Sequence, residues 1–364
     1  MTSRAANVKN SRMNFKFQNE SPQDYKGTKP IREASSILEV LSLMIVHICK
    51  KVLFYDTNLK IAIYLGALFV LSLIADVLTF PKTYFSRSDN VFNQYFVKIG
   101  WFWTLFLTVP YVLLTSFTTC CGKRRLIFTA HLSRLAIATF CWYAWTTIFN
   151  VIETKYGRCN ARSFETKTAC LKNGHFWNGF DISGHCFILI YSSLVMIEEA
   201  KAINGWEKIK DNIRDENYTR SLNDKSVSVN PLKNISAEEL NILKESYEIV
   251  TPYVRALLIF IAILQLLWDV MLVSTILYYH IMIEKFISGV IAILTWFVTY
   301  RVWYTIPNVL PNLPGQGIFK YNNGKPVVLT PNRKKSNAPN GKHFMGMPIN
   351  TKQDTMEAST EEVR

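Results

Sequence analysis

Long apolar runs separated by short polar interruptions dominate the chain. Six runs read as transmembrane helices: 59–80, closed by Pro81; 95–117, with Trp101 and Trp103 near one boundary; 131–152, with Trp142 and Trp145; 181–197; 252–279, opened by Pro252; and 286–304, ended ahead of Pro307. Each supplies about 20 residues, the length an α-helix needs to cross a hydrocarbon core of roughly 30 Å. Helices are expected because a backbone in lipid must satisfy its hydrogen bonds within the segment. Pro252 suits a first helical turn, where its missing N–H is no loss.

Ahead of these, 37–55 is apolar but interrupted by Glu39, His47, Lys50 and Lys51. It reads as an interfacial amphipathic helix within 35–56, with a weak or tilted span as the alternative. Residues 1–34 are rich in Asn, Ser, Lys and Gln and read as a disordered tail, as do the Pro-, Asn-, Gly- and Lys-rich residues 307–364. The expected fold class is all-α: a polytopic membrane protein of about six spans over 57–306, interrupted by a charged cytosolic loop at 201–251.

Composition supports this reading. The 364 residues are 49% hydrophobic and 13% aromatic, and charge is crowded into the ends and the central loop. The net charge is +14. Nucleic-acid binding is disfavoured, because Lys and Arg flank apolar runs instead of forming one basic stripe. With six spans both termini share a side. If that side is the cytosol, the opposite loops hold nine of the 41 Lys and Arg and the cytosolic side holds 32, as the positive-inside rule requires. The sequons at Asn217 and Asn234 then face the cytosol and stay unglycosylated.

The seven cysteines include no CxxC and no Cys/His zinc spacing. Cys159 and Cys170 share the polar loop 152–180 and can pair if it lies in an oxidising lumen.

Two histidines stand out. His185 lies where a polar loop becomes the fourth apolar run, and His280 lies just beyond the fifth. Opposite helix directions bring both to the lumenal face. A histidine pair can hydrolyse a phosphate ester or anhydride without a metal or cofactor, one imidazole attacking phosphorus and the other protonating the leaving oxygen. Ser183 and Gly184 sit at a helix start, where backbone N–H groups favour an anion; Ser183 reads equally as an N-cap. Asp181 orients His185 if the helix extends that far, and is otherwise a first-turn charge. Glu284 follows His280 at the same spacing and reads as either a partner or a surface charge. Asp269, inside the fifth run, reads as a polar contact within the bundle.

Four stretches carry a family resemblance: Pro81-Lys82-Thr83-Tyr84-Phe85-Ser86; Asn90-Val91-Phe92-Asn93-Gln94-Tyr95-Phe96-Val97-Lys98; Phe176-Trp177-Asn178-Gly179-Phe180-Asp181-Ile182-Ser183-Gly184-His185; and Trp303-Tyr304. In this order they resemble the fat storage-inducing transmembrane (FIT) proteins over roughly 60–310. The resemblance implies a lipid-phosphatase-like bundle in the endoplasmic reticulum membrane with both termini cytosolic. It implies cleavage of fatty acyl-CoA to acyl 4'-phosphopantetheine and adenosine 3',5'-bisphosphate, in support of lipid-droplet formation and lipid balance. It places the catalytic histidines at His185 and His280, the former as acid and the latter as nucleophile. Membrane lipids, diacylglycerol and triacylglycerol among them, are the other implied partners.

The chain departs from the related lipid phosphate phosphatases in having Ile182 where they carry Pro, and Ser274 where an Arg precedes the nucleophile. Arg87 and Lys98, with Lys155 and Arg158, are the lumenal candidates for the missing phosphate clamp. The competing reading is a non-enzymatic protein that binds or partitions neutral lipid, with histidines that only satisfy polar contacts. A transporter is a weaker third, since internal repeats and broken helices are not evident.

Overall fold

The computed structural model describes residues 36–321 except 79, 88, 162–164, 222–229 and 308, together with the backbone of two short strands near the C-terminus. The expected tail at 1–34 lies outside the described residues, as does most of 322–364. Of the latter, residues Gly324–Arg364 form a separate unit in which His343–Phe344 pairs antiparallel with Met347–Pro348.

The main unit is helical: α1 Ile37–Leu53, α2 Thr57–Val77, α3 Gly100–Thr119, α4 Arg124–Tyr156, α5 Lys167–Lys172, α6 Gly184–Ala200, α7 Trp206–Ser221, α8 Ala237–Tyr278 and α9 Met282–Thr305. A short helical segment, Phe92–Val97, precedes α3. Helices α2, α3, α4, α8 and α9 are each long and apolar enough to cross a membrane. The sixth expected span, α6, has 17 residues, or about 26 Å at 1.5 Å per residue. It continues through the 3₁₀ turn Lys201–Ile203. From Cys186 to Ala200 every residue of α6 is buried, so it is the central post of the bundle and the other spans surround it.

Aromatic stacking fixes several of these contacts. The Trp101 ring of α3 stacks on Tyr191 of α6 at 5.5 Å and on Trp142 of α4 at 5.9 Å. Phe149 of α4 meets Phe187 of α6 edge-on at 5.5 Å. Gly289 lets α9 approach closely: a β-carbon there would come within 2.2 Å of the Leu68 side chain and 3.2 Å of Ile190. The outward surfaces stay apolar, with Phe102, Phe106, Phe140, Phe260, Ile263 and Val298 all exposed. Lipid is the solvent such a surface fits.

The expected polar contact at Asp269 is present. Its carboxylate accepts hydrogen bonds from Tyr64 (2.5 Å) and Gln265 (3.1 Å) and pairs with buried Lys60 at 3.3 Å. A carboxylate within a bundle requires such partners.

The structure moves three boundaries. The helix that carries the fifth apolar run does not begin at Pro252. A capping box at Ser236 and Glu239, with reciprocal bonds of 3.2 and 3.1 Å, starts α8 at Ala237 and leaves Pro252 inside a helix of 42 residues. The stretch 201–251 is accordingly mostly helix, with α7 burying Trp206, Ile209 and Ile213. Part of the tail expected from 307 onward is packed against the bundle. Residues 309–321 close one end of the bundle: Asn312 N–H bonds Ala130 O, Ile318 N–H bonds Thr119 O, and Tyr321 Oη donates to Ala202 O. Phe319 and Tyr321 are buried there.

That end also holds a bidentate pair between Arg134 and Glu199, at 2.8 and 2.7 Å, to which Tyr300 donates at 2.7 Å. His131 is buried beside them and contacts Arg134 and Cys120, so it is part of this packed cluster. The opposite end is covered by the hairpin Arg158–Cys159 with Trp177–Asn178, in which Cys159 and Cys170 form a disulfide. The pairing left open by the sequence is therefore made.

Candidate functional site

The site lies at the hairpin end, where α6 begins, α8 stops and α9 starts. His280 occupies the break between α8 and α9. Its backbone has φ +58°, a left-handed conformation that costs a non-glycine residue on the order of 1–3 kcal/mol. Bonds on either side hold it: Tyr279 N–H reaches Thr275 O, and Met282 N–H reaches the Asp76 carboxylate at 2.8 Å.

The His280 ring is governed by carboxylates. Its Nδ1 lies 3.3 Å from Oε2 of Glu284 and 3.7 Å from Oδ2 of Asp181. Glu284 is 9% exposed, and its Oε1 accepts the Asp181 N–H at 3.2 Å. A carboxylate beside Nδ1 keeps the proton on that nitrogen and leaves the Nε2 lone pair free. The tautomer follows from this contact.

His185 stands in the first turn of α6. Ser183 caps the helix, its Oγ accepting the Cys186 N–H at 3.3 Å. The Ser183 carbonyl accepts from Ser288 of α9 at 2.6 Å, which fixes the start of α6 against α9. Of the two readings of Ser183, capping is the contact its hydroxyl makes. Nothing lies within 4 Å of the position a β-carbon at Gly184 would take. The Nε2 of His185 is buried without a hydrogen-bond partner among the described residues. His280 and Lys98 both act electrostatically on the His185 ring.

Asp181 does not serve His185. The helix begins three residues after it, and its carboxylate faces His280. The Asp181 side chain is 54% exposed, and partial desolvation of its carboxyl still raises it above the usual aspartate range, against the opposing charge of His280; Glu153 and Glu284 push it further up, and Lys167 opposes them.

Of the expected cations, Lys98 is exposed, donates to Gln94 at 2.7 Å and is felt by His185. Arg87 is exposed on the neighbouring loop. That loop is tied to α8 by Ser274 and Tyr279, whose hydroxyls both donate to Phe85 O at 3.3 Å. Ser274, at the position of the clamp arginine in lipid phosphate phosphatases, thus anchors a loop. Lys155 and Arg158 are exposed at the end of α4 and on the hairpin. Lys285 is buried instead, donating to Ile276 O at 2.7 Å.

The residue the sequence left ambiguous is Glu284. Its i+4 spacing from His280 was visible, but a helix break intervenes, and only the left-handed turn brings the two together.

These features define a polytopic helical membrane protein with a histidine–carboxylate cluster at one end of its bundle. The profile of the fat storage-inducing transmembrane (FIT) proteins matches residues 81–154 and 149–300, and the chain belongs to that family. It is 52% identical over 321 residues to the acyl-coenzyme A diphosphatase FITM2 of Drosophila melanogaster, spanning 87% of this chain and 76% of the relative. It is 34% identical to the Danio rerio protein of the same name, over 70% and 89% of the two chains. The Homo sapiens protein of that name is 29% identical over 67% and 82%. No solved structure matches.

Proposed function

We propose that this chain is a fatty acyl-CoA diphosphatase, acting at the paired histidines on the lumenal face of the endoplasmic reticulum membrane. The observation that carries the reading is His280 with Nδ1 held by Glu284, beside a second histidine whose Nε2 is buried and unpartnered. The names of the relatives support the substrate class.

In the proposed reaction, His280 Nε2 attacks one phosphorus of the CoA pyrophosphate. A P–N bond forms as the bridging P–O bond breaks. The leaving oxygen departs with the electron pair and takes a proton from His185. Water then attacks the phosphorus on His280, which still carries its pantetheine or adenosine ester, giving a proton to His185 as the P–N bond breaks and His280 is restored. The products are acyl 4'-phosphopantetheine and adenosine 3',5'-bisphosphate. Glu284 holds the proton on Nδ1 and stabilises the cation formed on His280. Lys98 and the start of α6 draw the anionic group toward the histidines, and Arg87 adds positive charge to the same end.

The disulfide at this end supports a lumenal site, since disulfides persist in oxidising compartments. Both termini are then cytosolic. By consuming acyl-CoA the enzyme would support lipid-droplet formation and lipid balance, with diacylglycerol and triacylglycerol as lipid partners.

The test is hydrolysis of oleoyl-CoA by purified wild-type, His185→Ala and His280→Ala protein, with both products measured by mass spectrometry. General acid–base roles contribute about 10²–10⁴-fold. Each variant is expected to lose at least that much. Full activity in either would remove the assigned roles and leave the non-enzymatic reading.

A further inference from the structure

His280 sits in the break at residues 279–281, between the end of α8 and the start of α9. Such a break opens two helix ends, each with backbone groups that lack an intrahelical partner. Two charged side chains meet those groups. In an uninterrupted helix the Ile276 carbonyl would accept the His280 N–H. Here it accepts the Lys285 ammonium at 2.7 Å. The first N–H of α9, that of Met282, donates to Oδ2 of Asp76 at 2.8 Å. A cation at a helix C-terminus and a carboxylate at an N-terminus also complement the helix dipoles.

The two side chains face each other. Oδ1 of Asp76 lies 4.0 Å from Nζ of Lys285, whose side chain is only 1% exposed. Removing one partner of a buried charge leaves the other uncompensated, so the two act as a unit. Asp76 comes from the last turn of α2, a third helix. That helix is set against α9 by the edge-on contact of Phe69 with Phe286 at 6.0 Å and by the close approach of Leu68 to Gly289. The pair therefore grips the chain on both sides of His280, at Ile276 before it and Met282 after it. The ring itself faces Glu284 and Asp181 instead.

We propose that Asp76 and Lys285 are positioning residues that hold His280 in its left-handed turn and so aim its imidazole at the substrate phosphorus. The inference rests on the role proposed above for His280. A non-glycine residue keeps such a backbone only where its surroundings over-determine it. A reacting group displaced by about 1 Å can cost about 10²-fold in rate.

The experiment uses full-length protein in detergent: wild type, Asp76→Ala, Asp76→Asn, Lys285→Met and the Asp76→Ala, Lys285→Met double variant. It measures oleoyl-CoA hydrolysis per folded protein and hydrogen–deuterium exchange of peptides covering 276–284. Asp76→Ala and Lys285→Met are each expected to lower kcat about tenfold or more with KM within about twofold, and to speed exchange at 279–282 about tenfold. The double variant should lose little more than the worse single one, because both side chains act on one turn. Asp76→Asn keeps an oxygen for the Met282 N–H and should recover part of the loss. If Lys285→Met does not fold, the two variants at part-exposed Asp76 carry the comparison. Unchanged kcat in the folded Asp76→Ala protein, with only its melting temperature lowered, would overturn the proposal. So would unchanged exchange at 279–282, or losses that multiply fully in the double variant. A wild type that hydrolyses no acyl-CoA would remove the reaction assigned to the histidines, and the exchange rates at 279–282 would then decide the grip on the turn by themselves.

Discussion

The Nδ1 of His280 lies 3.3 Å from Oε2 of Glu284, across the break that ends one helix and begins the next. This contact determines which ring nitrogen is free to attack. Glu284→Gln removes the charge while keeping the shape. It is expected to lower kcat by roughly 10²-fold or more, by analogy with the loss of an orienting carboxylate in other histidine sites. KM should stay within about twofold, since the contact matters in the transition state more than in binding. Glu284→Asp should recover part of the loss. A change confined to KM would contradict the positioning role.

Asp181 gives a pH signature. The unfolded chain holds an ordinary aspartate, near 3.9, whereas partial desolvation raises the half-exposed folded carboxyl above that. The folded state therefore binds this proton more tightly. The stabilising contribution is complete below about pH 4 and is lost as pH rises through the raised folded value. Asp181→Asn removes the titration. The melting temperature of wild type relative to this variant is expected to fall between pH 4 and 7. A difference constant across that range would contradict the assignment.

The spans were legible because lipid demands about 20 apolar residues in a row, and such runs are hard to mistake. The start of α8 was not, because the Ser236–Glu239 capping box sits in a polar stretch and Pro252 is itself a plausible first-turn residue. The segment 309–321 was hidden for a different reason. Only Phe319 and Tyr321 of it bury large side chains, and backbone bonds to Ala130 and Thr119 do the rest. At the site, opposite helix directions were enough to bring His185 and His280 to one end. The orienting contacts were not readable, since Asp181 pairs with His280 only because α6 starts late and His280 adopts a left-handed turn.

The Cys159–Cys170 bridge closes a short loop over the site. Closing a loop of this size is worth about 3 kcal/mol. Alkylation of the unfolded, unreduced protein should label Cys49, Cys120, Cys121, Cys141 and Cys186, and reduction should add the other two. Cys159→Ala with Cys170→Ala is expected to lower the melting temperature and kcat together, because the hairpin carries the contacts of Glu153 with Lys167 and Trp177 beside Asp181. Seven labelled cysteines without reduction would contradict the bridge.

Asn217 and Asn234 report on orientation. Both are exposed, on α7 and just before α8, so neither is shielded from a glycosyltransferase by burial. With this end cytosolic, endoglycosidase treatment of protein from a eukaryotic host leaves its mass unchanged. A mass shift that Asn217→Gln or Asn234→Gln abolishes would invert the topology and place the histidines in the cytosol.

The most direct test of the two-histidine account is the intermediate itself. Wild-type protein mixed with oleoyl-CoA, quenched in alkali within milliseconds and mapped by mass spectrometry should carry on His280 a P–N-linked half of the substrate, either the phosphopantetheinyl or the adenosine bisphosphate group. His280→Ala protein should carry none. An adduct on His185, or rapid turnover by the His280→Ala protein, would contradict the account.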